Sequence, residues 1–272
     1  MTMKIGASTG CLYPELTENS LKLLSDAGFD LFEIFFNTFS ELEPDFLDKI
    51  IFLCTGCGAK IASIHPFTSA YESYLLFSGY ERRFIDGVRM YDMFFRTAAK
   101  LGAEYVVLHG MQCAFSSVTI EEYCRRFALL SDEAASFGVT LLQENVYRHI
   151  SGSIDTIRRM RELLGEKAAF VLDTKQARRC GYDPCDVAVE MKDSLKYLHI
   201  SDSNENESCL LPGSGSFDFN HFFDILEKTG YSGNAVIEVY GQTKNDIGSV
   251  INAKRYLDKL ISDRAKRICM NV

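Results

Sequence analysis

Five short apolar runs each carry a metal-type side chain at or near their carboxyl end. They are Tyr105–His109, Leu141–Glu144, Phe170–Asp173, Tyr197–Ile200 with His199 inside it, and Ala235–Glu238. Apolar, β-branched runs are buried strands, and a buried strand rarely ends in an ionisable group without a use for it. The spacings between the polar residues are 35, 29, 26 and 39, each about one strand plus one helix. Three carboxylates and an imidazole (Glu144, Asp173, Glu238 and His199) form a mixed oxygen and nitrogen set suited to Mn²⁺, Co²⁺, Zn²⁺ or Mg²⁺. Without a cation the three carboxylates would repel one another in a narrow mouth. Any one of them alone reads as a cap or a salt-bridge residue; four in register favour one shared ion.

The elements that must position them alternate strand and helix. Strands are expected at Lys4–Ser8, Leu31–Phe35, Lys60–His65, Tyr105–His109, Thr140–Glu144, Ala169–Asp173, Leu195–Ile200 and Asn234–Glu238. The intervening helices run over about 15–27, from Pro44, 81–101, from Thr119 with Glu122 as a capping box, 153–164, 184–193, 218–229 and 246–264. Pro66 to Tyr80 reads as a long loop whose Tyr71, Tyr74, Phe77 and Tyr80 would either cover the mouth or pack on the helices. Eight strand–helix repeats favour an α/β fold, a single (β/α)8 TIM barrel over residues 1–272, above an open doubly wound sheet. Gly6-Ala-Ser-Thr-Gly10 does not match a dinucleotide fingerprint, and no Walker loop occurs. Strand parity puts His109, Glu144, Asp173, His199 and Glu238 on one side, at the carboxyl mouth. His65 takes the same place on strand three, and Glu33 lies one layer lower.

Bulk properties narrow the function classes. The net charge of −8 opposes a phosphate-neutralising surface, so no nucleic-acid partner is expected. The nine cysteines include one CTGC at Cys54–Cys57 without a partner pair, which reads as reduced thiols of a cytoplasmic protein. No signal peptide or membrane-length apolar stretch is present, and no membrane partner is expected. The aromatic surface permits a homo-oligomer without requiring one.

The ordered set Glu144, Asp173, His199, Glu238 resembles the metal site of the xylose isomerase-like TIM barrels. So do His65 in IHPF, His109 in LHG, Leu211–Asp218 after strand seven and Gly230–Glu238 at strand eight. That superfamily includes ketose 3-epimerases, other sugar isomerases and the zinc-dependent apurinic endonucleases. The resemblance implies a metal-dependent isomerase or epimerase of a sugar or sugar-like polyol. Glu144, Asp173, His199 and Glu238 would hold one divalent ion, with Glu144 and Glu238 also moving the proton through a cis-enediolate.

His65 and His109 would contact substrate or hold a second ion. Gln176, Lys175 and Arg178 would contact substrate as well, although a loop lysine is more often solvated. The endonuclease branch needs a histidine three residues after the strand-six Asp and another after strand seven. This chain has Gln176 in the first place and no histidine in Ser203–Cys209, so the trinuclear site is absent. A dinuclear phosphodiester hydrolase and a silent ligand-binding barrel remain as alternatives. His149 and His221 read as incidental.

Overall fold

The computed structural model describes residues 3–115, 117–240 and 246–270. Eight parallel strands close into a barrel in chain order: β1 (Ile5–Ser8), β2 (Leu31–Phe35), β3 (Lys60–His65), β4 (Tyr105–Leu108), β5 (Thr140–Glu144), β6 (Phe170–Asp173), β7 (Leu195–Ile200) and β8 (Ala235–Ile237). The expected (β/α)8 barrel is therefore the fold. The helices are α1 (Thr17–Asp26), α2 (Pro44–Cys57), α3 (Ser69–Leu75), α4 (Glu81–Leu101), α5 (Ile120–Ser136), α6 (Ile154–Leu164), α7 (Thr174–Arg179), α8 (Pro184–Met191), α9 (Phe219–Lys228) and α10 (Ile247–Met270). No helix among the described residues is long and apolar enough to cross a membrane.

The strands are buried on both faces, which is why they read as continuous apolar runs. Val107, Leu142, Val171, Tyr197 and Val236 form one cluster with Leu31, Ala62 and Ala169. Each of the first five stands two residues before His109, Glu144, Asp173, His199 or Glu238, so the polar groups rest on a dry plug in the lumen. The alternate residues, such as Val106, Leu108, Leu172, Leu198 and Ile237, pack outward against helix residues including Phe94, Phe127, Met160 and Phe222. Gly6 on β1 is required by the closure: a Cβ there would lie 2.3 Å from the Leu31 carbonyl oxygen.

Two stretches depart from expectation. The supposed loop at 66–80 contains helix α3, and its Glu72 and Ser73 are buried. Glu72 accepts hydrogen bonds from the Tyr91 hydroxyl (2.7 Å) and the Gly110 N–H (2.6 Å), while Ser73 Oγ accepts from the Gln112 N–H (2.8 Å). A seven-residue helix is too short to show a periodic signal, and it forms here because its polar side chains tie down the turn after β4. Phe77 is buried and stacks on Tyr123 at 4.2 Å. Tyr71, Tyr74 and Tyr80 are exposed, with Arg83 lying over the rings of Tyr74 and Tyr80.

The second departure is α7, six residues directly after β6, capped by Asp173 through its Oδ1 and the Gln176 N–H at 3.0 Å. Asp173-Thr-Lys-Gln176 carries the acid-x-x-Gln signature of a helix start. Elsewhere the expected elements hold to within a few residues, and Thr119 caps α5 through the Glu122 N–H.

Candidate metal centre

The carboxyl ends of β5 to β8 bring four of the expected residues to one point. Glu144, Asp173, His199 and Glu238 are all buried, and each offers a ligand atom within 4.8 Å of the others. A second group, His65, His109 and Glu144, meets the same criterion, and no third group does among the described residues. Both expected ligand sets are thus assembled around Glu144.

The histidine on β7 is oriented from below. His199 Nε2 lies 3.0 Å from Glu33 Oε2, which also accepts from Ser63 Oγ at 2.8 Å. Glu33 sits one layer lower, as expected from its place inside β2. A register shift between Phe32 and Glu33 against β3 accompanies this contact. With Nε2 directed at Glu33, His199 turns its Nδ1 toward the carboxylates, 3.3 Å from Glu238 Oε2 and 3.7 Å from Glu144 Oε1. That Nδ1 is buried without a hydrogen-bond partner. A carboxylate–histidine pair feeding an unpartnered nitrogen into three carboxylates is the arrangement of a metal-ligating histidine. The residues fit a divalent ion.

Asp173 is fixed by its neighbours as well as by its own cap. Asn145 exchanges two hydrogen bonds with its backbone, donating to Asp173 O (3.0 Å) and accepting from Asp173 N (2.7 Å). Gln143 holds the end of β4, donating to the carbonyls of Leu108 and His109.

Lys175 corrects the sequence reading. A solvated loop position was the ordinary expectation, but α7 turns the chain back over the mouth and buries the side chain completely. Its Nζ lies 3.0 Å from Asp173 Oδ2 and 3.2 Å from Glu238 Oε2, and 4.3 Å from the centre of the Tyr240 ring. Gln176 is also spoken for: its Oε1 accepts the Tyr147 N–H at 3.0 Å and so anchors the loop after β5. Arg178 is exposed in a groove with Gly181, Tyr182 and Ser203. No hydrogen bond or ion pair joins it to the cluster among the described residues, which leaves it outside the site as built.

The electrostatics are those of crowded anions held by cations. Burial raises the Asp173 carboxyl to about 8; Lys175 opposes the rise, and Glu238 and Glu144 add to it. Burial would raise Glu144 too, but His109, His199 and His65 outweigh it and hold the group well below the usual carboxylate range. At Glu238 the same burial is overcome by Lys175 and His199. Burial pushes His199 down, yet Glu33, Glu238 and Glu144 carry it well above its ordinary value.

On the other side of Glu144, His109 Nε2 is 2.8 Å from Oε2 and His65 Nε2 is 3.7 Å away. The two histidines approach to 3.1 Å, and His65 stacks on Phe35 at 4.6 Å. His149, read as incidental, has its ring 6.0 Å from that of His109 and a buried Nε2 without a partner. Its position after β5 was the only sequence signal. His221 does begin α9, where its N–H is capped by Asp218. Beside the cluster is an apolar cavity of about 160 Å³ lined by Gly10, Tyr13, Phe35, Asn37 and Tyr240. Phe35 and Tyr240 connect it to His65 and Lys175.

Residues 21–260 match the family model described as xylose isomerase-like TIM barrel. The chain belongs to that family. Among curated relatives, 3-dehydro-D-guloside 4-epimerase of Escherichia coli (strain K12) is 23% identical over 256 residues, covering 87% of this chain and 92% of the relative. Ketose 3-epimerase of Arthrobacter globiformis is 27% identical over 118 residues, 42% of this chain and 39% of that protein. The solved structure of an L-ribulose 3-epimerase superposes with a TM-score of 0.83 at 18% identity, covering 100% of this chain and 99% of the other. At that identity the superposition speaks for the fold. The relatives and structural neighbours of this family member thus include sugar epimerases.

Proposed function

We propose that this protein is a divalent-metal-dependent isomerase or epimerase of a sugar or sugar-like polyol. The observation that carries the reading is the convergence of Glu144, Asp173, His199 and Glu238 on one buried point, with glutamates arriving from β5 and β8. A divalent ion held there by those four residues would polarise a substrate carbonyl and acidify the adjacent C–H.

The chain's own residues do the rest. One glutamate, as the carboxylate, would take the proton, and the other, as the carboxylic acid, would deliver one, so that the pair ends each turnover with its protonation states exchanged. Return to the opposite face of the same carbon gives an epimer, and return to the neighbouring carbon gives aldose–ketose isomerisation. His109 Nε2 sits 2.8 Å from Glu144 Oε2, and His109 and His65 would contact the substrate's hydroxyls. The dry plug beneath the mouth strengthens these interactions by excluding water. The apolar cavity beside Tyr240 is below the ~300 Å³ of a full ligand pocket, so it takes one end of a small carbohydrate. No nucleic acid or membrane is part of this reading, and a homo-oligomer is compatible with it.

The His65–His109–Glu144 group supports a second reading, a dinuclear phosphodiester hydrolase. Metal analysis of the purified protein separates the two. One transition ion per chain, with ketose-converting activity lost on chelation and restored by Mn²⁺, is expected. Two zinc ions per chain with phosphodiester cleavage and no ketose turnover would sink the isomerase reading.

A further inference from the structure

Lys175 has no place in the proton transfer just described, yet its side chain is completely buried at the site. Its ammonium reaches two of the four ligand residues, and it does so from a fixed starting point. Asp173 caps α7, and Lys175 stands in the first turn of that short helix. Asp173 Oδ1 is engaged by the Gln176 N–H, which leaves Oδ2 as the oxygen available to an ion. Oδ2 is the atom facing Lys175 Nζ at 3.0 Å. On the other ligand, Glu238 Oε2 accepts from Nζ at 3.2 Å and lies 3.3 Å from His199 Nδ1. The ammonium therefore holds the same two oxygens that point toward the other ligand atoms.

We propose that Lys175 is the resident counter-cation of the four-ligand cluster, and that a divalent ion enters by displacing its ammonium from Asp173 and Glu238. This rests on the reading that the cluster binds a divalent ion. The histidines compensate Glu144, whereas at Asp173 and Glu238 Lys175 is the cation in closest contact with both carboxylates. With Lys175 in place the barrel closes before the ion arrives, and loading becomes an exchange of one cation for another. Tyr240 offers the released ammonium a seat: its ring face already lies 4.3 Å from Nζ, at the edge of the apolar cavity.

The sign of a single substitution separates exchange from support. Removing a conventional outer-shell partner weakens metal binding by roughly 10–100-fold. Removing a competitor strengthens it. The test titrates Mn²⁺ by calorimetry into metal-free wild type and Lys175→Met, both full-length, and records thermal midpoints of both in EDTA. Exchange predicts at least a tenfold (~10-fold) tighter Mn²⁺ affinity in the variant, with a lower midpoint in EDTA that Mn²⁺ restores.

Equal or weaker affinity in the variant, with wild type binding normally, would overturn the exchange and leave the metal site standing. Failure of both proteins to bind Mn²⁺ would overturn the exchange and the metal reading together. A variant that folds only when refolded in excess Mn²⁺ supports the exchange. One that folds in neither condition, with Lys175→Gln behaving the same way, would make Lys175 a structural ion pair and overturn it.

Discussion

Replacing Glu33 with glutamine should weaken the site without unfolding the barrel. Glu33 is completely buried on β2, two strands from β8 and three from β5 and β7 around the closed barrel. One of its oxygens, Oε2, accepts from both Ser63 Oγ (2.8 Å) and His199 Nε2 (3.0 Å); the other, Oε1, has no partner. In Glu33→Gln the amide oxygen can keep both hydrogen bonds, and the NH₂ falls where the unpartnered oxygen was. Shape is conserved, while His199 loses a charged partner and the NH₂ is buried without an acceptor, a cost of about 1–3 kcal/mol.

What changes is the grip on His199. Hydrogen bonds to a charged group are worth about 1.5–3 kcal/mol and neutral ones about 0.5–1.5 kcal/mol, so the anchor weakens by about 1–2 kcal/mol. Should the amide present its NH₂ instead, His199 would move its proton to Nδ1, the atom that has to face the ion. Either way metal affinity falls by roughly 10–100-fold, the range for outer-shell partners. The assay is Mn²⁺ calorimetry with a thermal scan of the metal-free protein. The expected result is weakened binding with a midpoint lowered by no more than about 12 °C, the shift of about 3 kcal/mol in a chain of this size. Wild-type affinity in Glu33→Gln would show that His199 is oriented by something other than Glu33. The direction is opposite to that expected for Lys175→Met, so the two variants serve as controls for each other.

Three further outcomes follow from the same contacts. Glu72→Leu leaves the Tyr91 hydroxyl and the Gly110 N–H buried without an acceptor, at about 1–3 kcal/mol each; a urea midpoint no lower than wild type would contradict the clamp on the β4 turn. Glu122 is held down to about 2 by Arg125, burial opposing, with Arg126 assisting. Its folded pKa lies below the unfolded value, so its contribution is present above pH about 4.5 and is lost as pH falls toward about 2. The stability gap between wild type and Glu122→Gln should therefore shrink across that window, and a gap independent of pH would rule the ion pairs out as its source. Tyr13→Ala opens the apolar cavity without touching the ligands and should raise KM by roughly 5–30-fold (about 1–2 kcal/mol) at unchanged kcat, as loss of uniform binding does; a kcat defect instead would place Tyr13 in the chemistry.

The period-two rule carried most of the site. His109, Glu144, Asp173, His199 and Glu238 are legible because each follows an inward-facing apolar residue by two positions, and strand parity survives any detail of packing. The eightfold alternation likewise needed no tertiary knowledge. What escaped is what short-range pattern does not encode. Helices α3 and α7 are too brief for periodicity, so Glu72 was hidden in a supposed loop and Lys175 read as a loop residue that contacts substrate or is solvated. The Asp173-Thr-Lys-Gln176 cap was the available clue to the second. The contact of Glu33 with His199 crosses the barrel, 166 residues apart in sequence, and depends on a register shift that no local signal marks. His149 follows an irregular turn after β5, and its approach to His109 is set by that turn.

Proton transfer by Glu144 and Glu238 is tested most directly by hydrogen exchange with solvent. Metal-free protein is loaded with Mn²⁺ and incubated in D₂O with a panel of ketoses and ketose phosphates, and deuterium at C2, C3 and C4 is read by NMR. Wild type should label at least one carbon next to a carbonyl in at least one sugar, while Glu144→Gln and Glu238→Gln each lose labelling by ~10²-fold or more. No deuterium in any sugar with metal-loaded wild type, or full labelling by either glutamine variant, would contradict the assignment of these two carboxylates.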